Sequence, residues 1–199
     1  MTQPAVNSQR IGVFGGTFDP IHIGHLVTGL NVRHQLSLDV VLFVVAHDPW
    51  QKADRDVTPS DLRLAMVEAA VAGHEGLEAS AIEIQAGGTS YTADTLATLR
   101  AQEPDAELFL IIGQDQATNL DTWERVEEIR SLSTLVVVRR PGSVGDVSDL
   151  GAIEVDVPSL EVSSSDLRAR FCDGRPVDWL TPDPVLRFVR ERGLYRRSR

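Results

Sequence analysis

The sequence predicts an α/β protein built on a doubly wound, Rossmann-like open parallel sheet with helices on both faces. Short runs rich in Val, Ile, Leu and Phe alternate with longer segments of helical periodicity. Because the runs are apolar on both sides, they are typical of strands that helices cover on each face. Ligands of such sheets bind at the carboxyl ends of the strands, near the point where strand order reverses. That rule places a ligand site at the turns after Phe14, Val45, Ile112 and Val138.

Six apolar runs and six periodic segments supply the predicted elements. We predict strands at 11–14, 40–45, 108–112 and 135–138, and weaker ones at 77–84 and 152–157. We predict helices at 24–35, 60–72, 92–101, 123–131, 165–171 and 184–192. Two of these helices begin with favourable capping chemistry, since Ser60 and Asp61 follow a proline and Asp183 precedes Pro184.

Length and composition indicate one folded domain. A chain of 199 residues is long enough for a single large core, so we treat 1–199 as one domain. We expect a disordered tail at 1–9 and a basic tail at 196–199. No signal sequence or membrane-spanning run is apparent, and the lone Cys172 allows no internal disulfide, so we expect a cytoplasmic protein.

The charge argues against a nucleic-acid partner. The net charge is -10, with 29 acidic and 19 basic residues, whereas a long phosphate footprint requires a basic face. Lys52 is the only lysine in the chain. We therefore expect any bound phosphate to be small and locally held.

A glycine-rich turn with two histidines follows the first predicted strand. Gly15 and Gly16 allow a sharp bend and a close approach to a ligand, and the helix start beyond them offers amide groups to a phosphate. His22 and His25 are three positions apart, so both side chains face one point in a helical first turn. We expect Gly24 between them to leave room for a ligand. Two imidazoles beside amide donors suit the charge that builds on a polyphosphate when its α-phosphorus is attacked.

The same spacing is also compatible with two polar helix residues, or with half of a metal site. Their position on a strand-to-helix turn, after a double glycine and the pair Asp19-Pro20, favours a nucleotide site. The chain has neither GxxxxGKS/T nor GxGxxG, so a P-loop nucleotidase and a nicotinamide dehydrogenase are not supported.

At these residues the chain resembles the HxGH nucleotidyltransferases, and within them the bacterial nicotinate mononucleotide adenylyltransferases. The resemblance runs from Gly12 to Tyr195 and rests on several separate motifs. They are GGTFDPIHIGHL at 15–26, PWQK at 49–52, TSYTADTL at 89–96, IIGQD at 111–115 with Trp123 eight positions later, RRPG at 139–142, VSSSDLR at 162–168 and GLY at 193–195.

The resemblance implies a role for each motif. The residues it places on ATP are Gly15, Gly16, Thr17, Phe18, His22, His25, Gly113, Asp115, Arg139, Ser164, Ser165 and Arg168. Those it places on the mononucleotide are Lys52, Tyr91, Thr92 and Trp123. It makes His22, His25, Lys52 and Arg168 catalytic, with Mg²⁺ carried by the ATP phosphates and no metal held by the protein itself.

Several of these residues also have a structural interpretation. Trp123 is compatible with a core position, and Tyr91 with Thr92 is compatible with a helix cap. Ser164 and Ser165 are compatible with an ordinary N-cap, and Arg139 with a surface charge. The loop after the second strand, 46–49, is shorter than is usual in the family, and its effect on Lys52 is left open.

The resemblance implies an adenylyltransferase that joins ATP and nicotinate mononucleotide to form nicotinate adenine dinucleotide and pyrophosphate, in NAD biosynthesis. One alternative is another HxGH enzyme, of the phosphopantetheine adenylyltransferase or cytidylyltransferase type. A second is a nucleotide sensor without turnover. The sequence leaves open the preference for nicotinate over nicotinamide, and whether the chain forms a homo-oligomer.

Overall fold

A computed structural model describes residues 8–49, 57–139 and 148–196. Its strands are β1 (Arg10–Gly16), β2 (Val40–Val45), β3 (Leu77–Ser80), β4 (Glu107–Gly113), β5 (Thr134–Arg139) and β6 (Ile153–Asp156). Its helices are α1 (Ile23–Gln35), α2 (Ser60–Val71), α3 (Ile82–Ala86), α4 (Thr92–Gln102), α5 (Gln114–Ala117), α6 (Val126–Leu132), α7 (Ser164–Asp173) and α8 (Asp183–Arg192). Single-turn helices occur at Leu120–Thr122 and Ser148–Leu150.

The described strands form one parallel sheet in the order β3-β2-β1-β4-β5-β6, which confirms the predicted fold class. Ile11 of β1 pairs with Val40 of β2 on one side and with Leu108 of β4 on the other. The strand order therefore reverses between β1 and β4. This reversal opens a crevice at the carboxyl ends of those two strands.

Helices cover both faces of the sheet, each over its own apolar core. Alternate residues of one strand point to opposite faces, so Val41 and Phe43 of β2 join one core while Val40 and Val44 join the other. The first core is closed by α1, α2 and α8, and the second by α4, α5 and α6. Leu167 of α7 packs in a third, smaller cluster with residues of the C-terminal region.

The weak strand predicted at 77–84 is wrong in its second half. The strand ends at Ser80, and α3 begins two residues later. The Ser80 hydroxyl accepts a hydrogen bond from the backbone N–H of Ile82 (3.4 Å) at the point where the chain leaves the edge of the sheet. A local side-chain bond of this kind leaves no trace in hydrophobic periodicity.

Other boundaries differ by a few residues. The helix predicted at 123–131 begins only at Val126, because Arg125 adopts a left-handed conformation with φ of 57°. The short helix α5 was not predicted. The N-terminal segment pairs with β4 from within the tail expected at 1–9, because the carbonyl of Gln9 accepts from the N–H of Glu107 (2.8 Å).

None of the helices in the described ranges is long and apolar enough to cross a membrane.

Gly29 on α1 provides a test of the packing between helix and sheet. A Cβ at this position would lie 2.7 Å from Cζ of Phe43, whose ring is fully buried and packs on Phe14 and Phe18. Alanine favours a helix over glycine by about 1 kcal/mol. Because the ring has no space to move, we expect G29A to lower the free energy of unfolding, by about 1–2 kcal/mol, in spite of that preference.

Urea denaturation of G29A, F43L and the double variant measures this effect. We expect the two changes to be less than additive, since a smaller side chain at position 43 makes room for the added methyl group. An increase in stability in G29A alone would contradict the packing described here.

Candidate active site

A cleft of about 720 Å³ opens at the carboxyl ends of the central strands. It lies at the crevice between β1 and β4, where strand order reverses. The sequence-predicted residues that line it are Gly15, Gly16, Thr17, Phe18, His25, Tyr91, Thr92, Gly113, Asp115, Trp123 and Ser164. Residues from the N-terminal part of the chain, from its middle and from the start of α7 thus meet around one space.

His22 and His25 form a stacked pair at the start of α1. Their ring centroids are 3.7 Å apart with 21° between the planes, and His22 is buried. The backbone N–H of His22 donates to Nδ1 of His25 (3.2 Å). That bond requires Nδ1 to be unprotonated, so the ring proton of His25 lies on Nε2, which is then a hydrogen-bond donor.

Gly24 has a different use from the one predicted. A Cβ on Gly24 would lie 3.1 Å from the His22 ring and 3.1 Å from Cγ1 of Val162. The space beside the glycine is therefore occupied by protein rather than left for a ligand. Gly24 lets the His22 ring and the C-terminal segment pack directly on the helix backbone.

The carbonyls of the turn before α1 are bound by side chains from the C-terminal part of the chain. Asp19 O accepts from Nη1 of Arg168 (2.7 Å), and Pro20 O accepts from the Ser164 hydroxyl (2.9 Å). Ile21 O accepts from the hydroxyl of the buried Thr181 (2.8 Å). Three consecutive acceptors are thus directed to the C-terminal region. Each of these carbonyls therefore has a donor from the C-terminal region, which fixes the direction of its peptide group.

The side chain of Asp19 is buried beneath the same turn. Its Oδ1 accepts from the hydroxyl of Tyr195 (2.6 Å), and its Oδ2 from the backbone N–H of Thr58 (3.4 Å). Burial, together with the neighbouring Asp19 charge, raises the pKa of Tyr195 above its ordinary value. The phenol therefore stays protonated, and remains a donor, through the neutral range.

A second group of cleft residues lies toward α3 and α4. Trp123 packs against the second core and also lines the cleft, so its structural and functional interpretations are compatible. Tyr91 and Thr92 line the cleft at the start of α4. Sequence reasoning missed Glu83, which lines the cleft and accepts from the Thr95 hydroxyl (2.7 Å), because position 83 fell inside a predicted strand.

Gly113 and Asp115 lie at the end of β4. A Cβ on Gly113 would be 2.7 Å from Oδ1 of Asp115, so the glycine allows this exposed carboxylate to fold back over the strand end. Gly113 N–H also donates to Oε1 of Gln116 (3.2 Å). The result is a polar rim of the cleft at the end of β4.

The remaining predicted residues lie beside the cleft or outside the described ranges. His22 lies beneath His25, and Arg168 donates to Asp19 O and to the hydroxyl of Ser165 (3.2 Å). Arg139 does not line the cleft and forms an exposed ion pair with Glu154 (2.6 Å), so its contact with ATP stays a prediction. Lys52, together with the predicted motif residues Trp50, Gln51, Arg140, Pro141 and Gly142, lies outside the described residues.

The sequence matches the model of the cytidylyltransferase-like family over residues 13–170. A probable nicotinate-nucleotide adenylyltransferase from Corynebacterium kroppenstedtii is 42% identical over 198 residues, covering 97% of this chain and 94% of that protein. Another from Streptomyces coelicolor is 45% identical over 185 residues, covering 92% and 98%. The chain belongs to the nicotinate-nucleotide adenylyltransferase family.

Solved structures share the fold of this nicotinate-nucleotide adenylyltransferase family member. A Plasmodium falciparum nicotinic acid mononucleotide adenylyltransferase complexed with NaAD superposes with a TM-score of 0.77 at 18% identity, covering 94% of this chain and 97% of that one. A putative nicotinate-nucleotide adenylyltransferase from Vibrio parahaemolyticus gives a TM-score of 0.70 at 20% identity, covering 96% and 97%. These neighbours support the doubly wound architecture over nearly the whole chain.

The hydrogen bond from the Tyr195 hydroxyl to Asp19 is expected to stabilise the packing of the C-terminal end against the turn before α1. Y195F removes a donor from the buried Asp19 carboxylate, so we expect the free energy of unfolding to fall by about 1–3 kcal/mol. Y91F is the matched control, since the Tyr91 hydroxyl makes no hydrogen bond within the described residues. Guanidinium denaturation compares the two, and equal stability of Y195F and the parent protein would show that the contact is unimportant.

Proposed function

We propose that this chain transfers AMP from ATP to nicotinate mononucleotide, forming nicotinate adenine dinucleotide and pyrophosphate in NAD biosynthesis. The observation that carries the proposal is the turn at residues 17–25, which we name the histidine turn. Its carbonyls at positions 19 to 21 accept from side chains of the C-terminal region. His25 lines the cleft together with Gly15 and Gly16 at the end of β1. The family relationship and the separate polar rims at Asp115 and Thr92 support the same conclusion.

The proposed reaction is a single in-line displacement. A phosphate oxygen of the mononucleotide attacks the α-phosphorus of ATP, and the bond from that phosphorus to the bridging β-phosphate oxygen breaks. Pyrophosphate leaves with the bonding electron pair. No general base is needed, because the attacking phosphate is already ionised near neutral pH. Catalysis then depends on aligning two anions and stabilising the charge that develops.

The histidine turn and the start of α7 are proposed to bind the triphosphate. Nε2 of His25 would donate to a phosphate oxygen, and Ser164 places the N-terminal end of a ten-residue helix at the cleft. Arg168 has five N–H donors, of which two bind Asp19 and Ser165, and the others are proposed to hold the pyrophosphate. Mg²⁺ carried by ATP would add positive charge that stabilises the leaving pyrophosphate.

The acceptor is proposed to bind on the opposite side of the cleft. Trp123 would stack on the pyridine ring, and Thr92 at the start of α4 would receive the nicotinate carboxylate. The adenosine half of ATP is proposed to bind at the end of β4, where Asp115 would accept from a ribose hydroxyl beside Gly113. Arg139 is proposed to border the adenine. Lys52 is proposed to approach the reacting phosphates.

Product identification tests the proposal directly. The pure protein is incubated with ATP, Mg²⁺ and, in separate reactions, nicotinate mononucleotide, nicotinamide mononucleotide and phosphopantetheine. We expect pyrophosphate and a dinucleotide with the first acceptor, and no product with the last. Product with phosphopantetheine alone would favour the related transferase, and nucleotide binding without pyrophosphate release would favour a sensor.

Removing the His25 side chain separates chemistry from binding. H25A loses a donor that acts on the phosphate charge of the transition state, so we expect kcat to fall by about 100-fold or more. We expect the KM for nicotinate mononucleotide to change by no more than about threefold, because the acceptor ring binds elsewhere in the cleft. H34A is the control, since His34 lies exposed near the end of the same helix. Near-normal turnover in H25A would remove this residue from the mechanism.

Trp123 is predicted to act mainly on acceptor binding. Stacking of a base on an aromatic ring contributes about 1–3 kcal/mol, so W123A should raise the KM for nicotinate mononucleotide about tenfold with a smaller effect on the KM for ATP. W179A is the matched control, because Trp179 is 84% exposed. Steady-state kinetics with each substrate varied in turn would show an unchanged acceptor KM if Trp123 served only the core.

A further inference from the structure

Arg63 on α2 is a buried arginine whose guanidinium binds three main-chain carbonyls. It is 1% exposed. Nη1 donates to Thr17 O (2.8 Å), Nε to Thr58 O (2.7 Å) and Nη2 to His47 O (3.1 Å). One planar group therefore joins the turn after β1, the chain after β2 and the chain before α2.

The burial of this charge carries a free-energy cost. Desolvation lowers the pKa of Arg63, and the carboxylate of Asp19 opposes that shift most strongly among the neighbouring charges. Asp19 in turn accepts from Thr58 N–H and from the Tyr195 hydroxyl. A cation, a carboxylate and a phenol thus form one connected network beneath the histidine turn.

The bond to Thr17 sets the direction of a peptide group in the cleft wall. In a trans peptide the C=O and the following N–H point in opposite directions. With Thr17 O directed to buried Arg63, the N–H of Phe18 is directed to the opposite side of the turn. Thr17 and Phe18 both line the cleft. Arg63 therefore fixes the orientation of an amide donor without touching the ligand.

The other two bonds extend this restraint along the chain. His47 and Thr58 lie before and after the segment whose sequence contains Lys52. The N–H of His47 also donates to the hydroxyl of Ser90 (2.9 Å), which lines the cleft next to Tyr91 and Thr92. A change at Arg63 would thus alter the histidine turn and the acceptor side together.

We propose that Arg63 is a positioning residue for adenylyl transfer, holding the Thr17–Phe18 peptide and the chain at His47 and Thr58 in the arrangement that the reaction requires. The inference rests on the proposed function. It assigns to Arg63 an effect on turnover, separate from any contribution to folding.

Arg100 provides a matched control on the same scaffold. Its guanidinium also binds three carbonyls, those of Pro104 (3.0 Å), Ala106 (2.6 Å) and Leu132 (3.3 Å). These carbonyls precede β4 and β5, at the amino ends of the strands and away from the cleft. Loss of either arginine removes a similar set of bonds, but only Arg63 contacts the cleft wall.

The test compares R63K and R63Q with R100K and R100Q, in dinucleotide formation from ATP and nicotinate mononucleotide. Lysine keeps the charge and glutamine keeps an N–H donor, but neither has a fork that reaches three separated carbonyls. Misplacement by about 1 Å is enough to reduce turnover about 100-fold. We expect folded R63K and R63Q to show that loss in kcat, with each KM within about threefold, and the Arg100 variants to keep kcat within about twofold.

Thermal unfolding is measured on all four variants, so that stability and turnover are compared in the same samples. A kcat within about threefold of the parent in either folded Arg63 variant overturns the inference. So does a loss of folding in both Arg63 variants while both Arg100 variants fold, because Arg63 then acts on the fold. If the parent protein itself makes no dinucleotide, the proposed function fails instead, which keeps the two failures distinct.

Discussion

The site depends on hydrogen bonds between the carbonyls of one turn and side chains from the far end of the chain. Asp19, Pro20 and Ile21 accept from side chains 149, 144 and 160 positions later in the sequence. A carbonyl free to turn into the cleft would repel a triphosphate, whereas these three are bound to Arg168, Ser164 and Thr181. The same bonds satisfy acceptors that burial would otherwise leave without partners.

This dependence couples folding to function. Gly15 and Gly16 form the end of β1, and the turn that follows them is bound by side chains of α7 and of the segment before α8. Arg63 extends the coupling to α2, and the Tyr195 hydroxyl extends it to the C-terminal end. We expect such a site to be sensitive to substitutions far from the reacting atoms, because the loss of any of these hydrogen bonds would shift the turn.

The sequence predicted the features that depend on periodicity and local motifs. The apolar runs at β1, β2, β4 and β5 are long enough to identify a parallel sheet, and the carboxyl-end rule then locates the cleft. Periodicity could not show that the edge strand ends at Ser80, because the apolar residues of α3, Ile82 and Ile84, alternate with a polar residue as they would in a strand. It also could not identify Arg63, since an arginine on a helix is ordinarily a surface residue, and its three carbonyl partners come from segments separated in sequence.

The decisive measurement is a crystal structure of the protein with a non-hydrolysable ATP analogue and Mg²⁺. We expect oxygens of the α-phosphate to lie about 3 Å from Nε2 of His25 and from the backbone nitrogen of Phe18, with the turn carbonyls still bound to Arg168, Ser164 and Thr181. A triphosphate bound away from this turn, or turn carbonyls released from these three donors, would show that the turn does not bind ATP in this way.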